Sequence, residues 1–76
     1  MSPSDLQLLK ASIDSTVELT FQDETVEFVR VISVFDQESD PDIFYTRLTD
    51  DGQYVGDYGA PLAEIKMVTK REIPSD

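Results

Sequence analysis

Oxygen-bearing side chains recur at every second position between residues 36 and 42 of this chain, at Asp36, Glu38, Asp40 and Asp42. Carboxylates at this spacing could ligate a hard cation such as Ca²⁺. An EF-hand loop counted from Asp36 would, however, place Pro41 at its sixth position, which requires glycine, and Arg47 at its twelfth, which requires glutamate. We therefore interpret the segment as a solvated acidic loop and predict no metal site.

Acidic side chains also dominate the chain beyond this loop. Between residues 36 and 57 there are seven acids and a single base, Arg47, and two of these acids, Asp50 and Asp51, belong to a second loop. If both loops lie at the same end of the fold, they form one negative patch that steers a basic partner in a salt-dependent way. The alternative is that the acids serve solubility alone.

Four aromatic side chains are candidates for an exposed binding platform. Phe44 and Tyr45 are adjacent, so a strand would place them on opposite faces, whereas Tyr54 and Tyr58 are an even step apart and would share one face. An exposed set could stack on a peptide or a base. The alternative, which is the commoner fate of such residues, is packing in the core with the tyrosine hydroxyl at the surface.

Three of the six basic residues lie near the C-terminus, at Lys66, Lys70 and Arg71. Lys66 and Lys70 are an even step apart, so a regular strand would place both on one face. They could form a basic stripe that complements the acidic patch of a second copy, or that contacts RNA. The alternative is that these lysines lie on an edge strand and prevent aggregation.

Several classes of chemistry are excluded by residues that the chain lacks. There is no cysteine and no histidine among its 76 residues, so it has no thiolate metal ligand, no cysteine nucleophile and no histidine general base. The glycines Gly52, Gly56 and Gly59 do not have the spacing of a phosphate-binding loop. We therefore predict no catalytic residue, no cofactor and no metal, and expect the protein not to be an enzyme.

The charge balance indicates the class of partner. Six Lys and Arg residues against 16 Asp and Glu residues give a net charge of −10. This charge argues against binding to nucleic-acid phosphates or anionic lipid, and it favours a basic protein partner. The chain has no apolar stretch long enough for a membrane span and no signal peptide, so we expect a cytoplasmic location.

The elements that would position these residues follow from periodicity. Ser4 is the expected N-cap of a short amphipathic helix over about residues 5–12. Alternating apolar and polar residues predict five strands, at about residues 16–22, 25–36, 43–49, 54–58 and 65–71, with a tail at 72–76. Gly52 marks the hairpin between the third and fourth strands. Residues 59–64 predict a corner with one 3₁₀ turn.

The second predicted strand is the most informative, because its alternation breaks. Val26 and Phe28 would lie on one face, Val29, Val31 and Phe35 on the other, and Ile32 and Val34 on the first again. A bend or a β-bulge near Phe28–Val29 would let this strand contribute to both halves of a small barrel. Residues 1–76 are therefore predicted to form a single, mainly β domain: a five-stranded SH3-like (Sm-like) small barrel with a short N-terminal helix.

The order of these elements, and the segment from Tyr58 to Val68, resembles the Sm-like and SH3-like small barrels, including many short uncharacterised bacterial barrel proteins. In this segment Leu62, Ile65 and Val68 recur every three residues, as a closing turn and strand require. RNA-binding Sm-like proteins carry an Arg-Gly or Lys-Gly pair near the last turn, where this chain has Tyr58-Gly59 and no adjacent cation. The helix, the barrel order and the acidity are also similar to the Rho-binding antiterminator family, whose members occupy the RNA-binding face of the terminator Rho.

The resemblance and the charge together predict a non-catalytic interaction module that binds a protein partner, and that could regulate it by occupying a basic surface. The residues expected to bind this partner are Asp36, Glu38, Asp40, Asp42, Asp50, Asp51, Tyr54 and Tyr58. Two alternatives stay open at this point. One is binding of single-stranded RNA in the manner of Sm-like proteins, and the other is a homo-oligomeric structural unit.

Overall fold

The computed structural model describes residues 1–37 and 39–73. The elements in chain order are α1 (Pro3–Ala11), β1 (Thr16–Phe21), β2 (Val26–Phe35), β3 (Asp42–Leu48), β4 (Tyr54–Pro61), a 3₁₀ turn (Leu62–Glu64) and β5 (Ile65–Lys70). The prediction of a mainly β chain with one short helix is confirmed. Glu38 and residues 74–76 of the predicted tail lie outside the described residues.

The helix begins earlier than predicted, because Ser2 and not Ser4 is its N-cap. The Ser2 hydroxyl accepts a hydrogen bond from the Asp5 N–H at 3.2 Å, and the Asp5 carboxylate accepts one from the Ser2 N–H at 3.2 Å. Pro3, the first helical residue, has the fixed φ that a helix needs and no N–H to leave unpaired. These reciprocal bonds form a capping box that fixes where the helix starts.

All five strands form one antiparallel sheet in the order β4-β3-β2-β1-β5. In a flat sheet β4 and β5 would lie about 19 Å apart, which is four strand spacings. Only the 3₁₀ turn lies between the end of β4 at Pro61 and the start of β5 at Ile65, and a connection of this length spans at most about 15 Å. The sheet is therefore curved, and its two outer strands approach each other at this end.

One face of the curved sheet forms the hydrophobic core. All five strands, the helix and the 3₁₀ turn contribute to a single cluster of Leu9, Val17, Leu19, Phe21, Val29, Val31, Ile43, Tyr45, Ala60, Leu62, Ile65 and Val68. Helix α1 also contacts β5 directly, because Asp5 Oδ1 accepts a hydrogen bond from the Val68 N–H at 3.3 Å. This contact pairs a backbone donor that an outer strand would otherwise leave open.

Strand β2 contains the predicted irregularity, but at Ile32 and not near Phe28–Val29. Val31 pairs with Tyr45 of β3, and Ser33 pairs with Phe44 of β3. Ile32, which lies between them, therefore has no partner in β3. A bulge of this kind adds one residue to one strand and changes which positions face the core beyond it. The predicted position of the bulge was therefore wrong.

The bulge explains how both odd-numbered and even-numbered residues of β2 can face the same hydrophobic core. Before it, the odd-numbered Val29 and Val31 enter the core, and after it the even-numbered Val34 packs against the same cluster. The prediction of a shared interior is confirmed for these residues. It is wrong for Val26, Ile32 and Phe35, which are exposed, and for Phe28, which is buried outside the main cluster.

Strand β4 is longer than predicted and continues from Tyr58 to Pro61, because its last residues pair with the first residues of β3. The predicted corner is correspondingly shorter, and only Leu62–Glu64 form the 3₁₀ turn. The hairpin between β3 and β4 is as predicted, with Gly52 at φ 88° in the left-handed region. The other strands end within one residue of their predicted bounds.

Candidate functional site

The two acidic loops do not form one patch. The loop of residues 36–41 precedes β3, and the hairpin that contains Asp50 and Asp51 follows β3, so the loops lie at opposite ends of this strand. Seven residues of extended chain separate the loops by roughly 23 Å, which is more than two Debye lengths at physiological salt. The prediction of a single negative patch is therefore wrong.

The first loop forms one wall of a surface groove of about 690 Å³. The other wall is the segment from Gly59 to Ala63, at the end of β4 and in the 3₁₀ turn. A hydrogen bond of 3.0 Å from the Leu62 N–H to the Pro41 carbonyl holds the two walls together. Apart from one serine and two aspartates, every residue that lines the groove is apolar or glycine.

Phe44 forms the aromatic side of this groove. Its side chain is 46% exposed, and its ring meets that of Phe35, which is also exposed, edge to face at 5.8 Å between centroids. Gly59 on the neighbouring strand leaves room for the Phe44 ring, since a Cβ atom at that glycine would lie 3.0 Å from it. Tyr45 is buried in the core, so the prediction that Phe44 and Tyr45 lie on opposite faces is confirmed.

Asp40 and Asp42 carry the charge of the groove. Neither forms an ion pair with any residue of 1–37 or 39–73, and none of the described residues that line the groove is basic. Asp36 differs, because Lys10 of α1 binds it at 2.9 Å, and the hydrogen bond from Lys10 lowers the pKa of the Asp36 carboxyl. The predicted contribution of Glu38 lies outside the described residues.

Asp50 and Asp51 have partners within the fold. Asp50 accepts a hydrogen bond from Arg71 at 3.4 Å, and Asp51 accepts one from the Thr49 hydroxyl. The Thr49 hydroxyl in turn accepts a hydrogen bond from the Gln53 N–H at 3.0 Å. The Thr49 contacts hold the β3–β4 hairpin together, and Arg71 joins the hairpin to the residue that follows β5.

Tyr54 and Tyr58 do not form the common platform that their spacing predicts. The register of β4 against β3 shifts at Val55, which has no partner, so the even step between the two tyrosines no longer places them on one face. Tyr58 stacks on the core residue Tyr45 with 6.2 Å between ring centroids, whereas the Tyr54 hydroxyl lies 3.4 Å from Asp57. Both Tyr54 and Tyr58 are exposed, but each belongs to a different surface.

Tyr45, beneath Tyr58, forms a small polar group with Glu27 and Arg47. The Tyr45 hydroxyl lies 3.5 Å from Glu27 Oε2, and the same carboxylate binds Arg47 at 3.0 Å. Burial, together with the charge of Glu27, raises the pKa of Tyr45 to about 12. Arg47, the single base between residues 36 and 57, is thus paired with β2 and not with the acidic loops.

The C-terminal cations do not form the basic stripe that was one of the two interpretations, and β5 is an outer strand of the sheet, as the other interpretation requires. Lys66 lies in a bulge of β5 without a partner in β1, and its amine binds a glutamate of the β1–β2 turn at 2.6 Å. The Arg71 guanidinium lies 4.3 Å above the Phe28 ring and 3.2 Å from Glu18. Lys70 forms no ion pair within the part of the chain that the structure describes. Two of the three cations therefore serve as internal links.

A second cleft, of about 330 Å³, lies beside the β1–β2 turn and contains Asp23, Glu27 and Glu64. Thr25 donates hydrogen bonds to Asp23 from its hydroxyl at 2.5 Å and from its N–H at 3.1 Å, and these bonds lower the pKa of Asp23. Within residues 1–37 and 39–73, no three acids are arranged to hold a metal ion. Asp23 thus stabilises the β1–β2 turn, whereas Glu27 binds Arg47 of β3.

The groove was missed by sequence reasoning because its walls come from separate parts of the chain. Asp42 is opposite Pro61 in the β3–β4 register, and nothing in the two segments alone indicates that pairing. The available signal was Phe44, because a residue next to a buried tyrosine in a strand must face outward.

Neither α1 nor the 3₁₀ turn, the helices of the described residues, is long and apolar enough to cross a membrane. No protein-family model, curated protein or solved structure matches this chain.

Proposed function

We propose that this chain is a non-catalytic interaction module that binds a basic protein partner and regulates it by occupying its basic surface. The observation that carries the proposal is the uncompensated negative charge of the surface. Four of the six basic residues bind acids of the chain itself, and Asp40 and Asp42 have no ion-pair partner among the described residues. A cationic surface would supply the missing counter-charges and would be attracted over a distance of about one Debye length.

The proposed architecture for this module is an SH3-like (Sm-like) small barrel. Three features support it: the strand order β4-β3-β2-β1-β5, the short 3₁₀ connection between the two outer strands, and a core to which every strand contributes. A small barrel has a packed interior and leaves function to its loops and outer surface. That division suits a protein that binds through its surface.

RNA binding of the Sm type receives less support from the positions of the cations. Sequence-independent binding to single strands needs a basic groove and aromatic stacking partners on one surface. Lys66 and Arg71 are engaged within the chain, and Tyr54 and Tyr58 lie on different surfaces. The basic protein partner remains the function that these contacts favour.

The proposal is tested by fluorescence anisotropy with three labelled 12-residue peptides of equal apolar content and net charges of +4, 0 and −4. We expect binding of the +4 peptide alone at 50 mM salt, weakened at least tenfold at 300 mM salt, because screening reduces attraction between exposed charges. A labelled 20-nucleotide single-stranded RNA provides the comparison ligand.

Two outcomes would overturn the proposal. One is equal binding of all three peptides, or binding of none, because charge would then select no partner. The other is binding of the RNA more tightly than the +4 peptide at 50 mM salt, which would favour an Sm-like function.

A further inference from the structure

We infer that the groove between residues 39–42 and the segment from Gly59 to Ala63 is a docking site for a short extended segment in which basic and apolar side chains alternate. The inference rests on the proposed function, and it adds where the partner binds and what side chains it presents. It is carried by the coincidence of an exposed aromatic pair, an apolar groove and two unpaired carboxylates.

The apolar half of the argument concerns Phe44 and its surroundings. Phe44 and Phe35 are 46% and 43% exposed and meet edge to face. The groove beside Phe44 is bordered by Pro41, Pro61 and Ala63, so a leucine or phenylalanine side chain placed there would contact apolar atoms on several sides. Burial of such a side chain is favourable in proportion to the area removed from water.

The electrostatic half of the argument concerns Asp40 and Asp42, which line the same groove as Phe44. An extended segment directs alternate side chains to opposite sides, so a segment that places apolar side chains into the groove beside Phe44 leaves the intervening side chains at the rim of the groove. Lysine or arginine at those positions would approach two carboxylates that have no ion-pair partner among the described residues. The partner segment that fits is therefore basic at every second position.

A second copy of the chain is a poorer occupant of the groove than a basic partner. Each copy carries a net charge of −10, so association of two copies brings like charges together. The one basic strand of the chain, β5, has Lys66 bound to Glu24. A foreign segment with free cations meets neither obstacle.

The experiment uses the full chain and two labelled octapeptides of equal charge, one with Lys and Leu alternating and one with Lys and Ser alternating. We expect the Lys–Leu peptide to bind at least tenfold more tightly, since only its side chains fill the apolar groove. In ¹⁵N-resolved NMR spectra the amides of the residues other than proline in 39–44 and 59–63 should shift on addition of this peptide.

Two variants and their matched controls locate the site. Ala63→Arg places a cation and extra bulk in the groove at an exposed position, and we expect at least a tenfold loss of Lys–Leu affinity. Gln53→Arg adds the same charge to the exposed β3–β4 hairpin and should change the affinity less than twofold. The double variant Asp40→Asn/Asp42→Asn should weaken both peptides, whereas Asp14→Asn/Glu72→Gln, which removes the same charge elsewhere, should not.

The outcomes separate the docking site from the proposed function. If both peptides bind equally and Ala63→Arg has no effect, the groove is not the site, although a basic partner is still bound. If neither peptide binds, the inference and the proposed function both fail. If the same amides shift with protein concentration alone, and sedimentation gives a dimer, the occupant is a second copy and the inference is wrong.

Discussion

Replacement of Arg71 by alanine tests whether this side chain links the end of the last strand to the sheet. Its guanidinium lies 4.3 Å above the Phe28 ring and donates to Glu18 at 3.2 Å and to Asp50 at 3.4 Å. Phe28 is only 4% exposed although it lies outside the main core. The Arg71 side chain therefore covers an aromatic residue that the strands alone would leave open.

The magnitude follows from these contacts. A cation–π contact at a partly exposed site contributes about 0.5–1 kcal/mol. The Glu18 pair, in which both side chains are about one-third exposed, contributes about 0.2–1 kcal/mol, and Asp50 is too exposed to add much. We expect Arg71→Ala to lower the free energy of unfolding by about 1–2 kcal/mol, which for a chain of this size lowers Tm by roughly 5–15 °C.

Thermal and urea denaturation followed by circular dichroism provide the assay. Arg71→Lys, which keeps the charge but loses the planar stacking surface, should fall between wild type and Arg71→Ala. Lys70→Ala, at the neighbouring exposed position, is the control and should change the free energy of unfolding by less than about 0.5 kcal/mol. A double-mutant cycle with Phe28→Leu should give a coupling of about 0.5–1 kcal/mol. An Arg71→Ala variant as stable as Lys70→Ala, or an additive cycle, would refute the reasoning.

Three further predictions concern the core and the ionisable groups. Leu9→Ala leaves a cavity at a position with 0% exposure and should lower the free energy of unfolding by about 2–5 kcal/mol. The cooperative melting transition of this variant should be nearly lost in calorimetry, whereas Leu8→Ala, at a less buried position, should still show a cooperative transition. The hydrogen bonds from Ser2 lower the pKa of Asp5. The ionised Asp5 therefore contributes to the free energy of unfolding above the ordinary pKa of aspartate, and this contribution is lost as the pH falls through the lowered value. The urea midpoint of Asp5→Asn should consequently depend less on pH in the acid range than that of the wild type. The pKa of Tyr45 is raised to about 12. The neutral phenol therefore contributes to the free energy of unfolding below pH 10, the usual pKa of tyrosine, and this contribution is lost as the pH rises toward 12. Absorbance at 295 nm should show its phenol ionising last, and Tyr45→Phe should flatten the alkaline loss of stability.

Periodicity predicted the elements well because each depends on local signals. The alternation of apolar residues identified all five strands, and Gly52 identified the hairpin. The helix start was missed although the sequence contains its signal: Asp5 follows Ser2 by three residues and Pro3 lies between them, the pattern of a capping box with proline at the first helical position. Ser4 is also followed three residues later by a capping-box residue, Gln7, so the proline at the first helical position is the signal that distinguishes Ser2 from Ser4.

The errors in the predicted faces of strand residues have one physical cause. Ile32, Val55 and Lys66 each lie in a bulge and have no partner in the neighbouring strand. One extra residue exchanges the two faces of a strand beyond it, so arguments from even spacing fail for any pair that spans a bulge. None of the three residues is glycine or proline, although the broken alternation of β2 predicts a bulge in that strand and a glycine follows Val55. Tyr54 with Tyr58, and Lys66 with Lys70, span such positions.

The separation of the acidic loops, by contrast, could have been deduced from the predicted elements. Loops that precede and follow one strand must lie at its two ends, so Asp40 and Asp50 could never share a patch across seven extended residues. This separation assigns different roles to the two loops. The hairpin acids are bound by Arg71 and Thr49, whereas Asp40 and Asp42 form no ion pair with any residue that the structure describes.

The use of the few cations strengthens the case for the groove. The pairs Lys10–Asp36, Lys66–Glu24 and Arg71–Glu18 join residues 26, 42 and 53 positions apart, so the cations connect elements distant in the chain and do not neutralise acids evenly. Solubility alone would not require unpaired carboxylates and exposed aromatic rings to meet at one place. Phe44 lies in the same groove as Asp40 and Asp42, and a basic, partly apolar partner would satisfy both the charges and the rings at once.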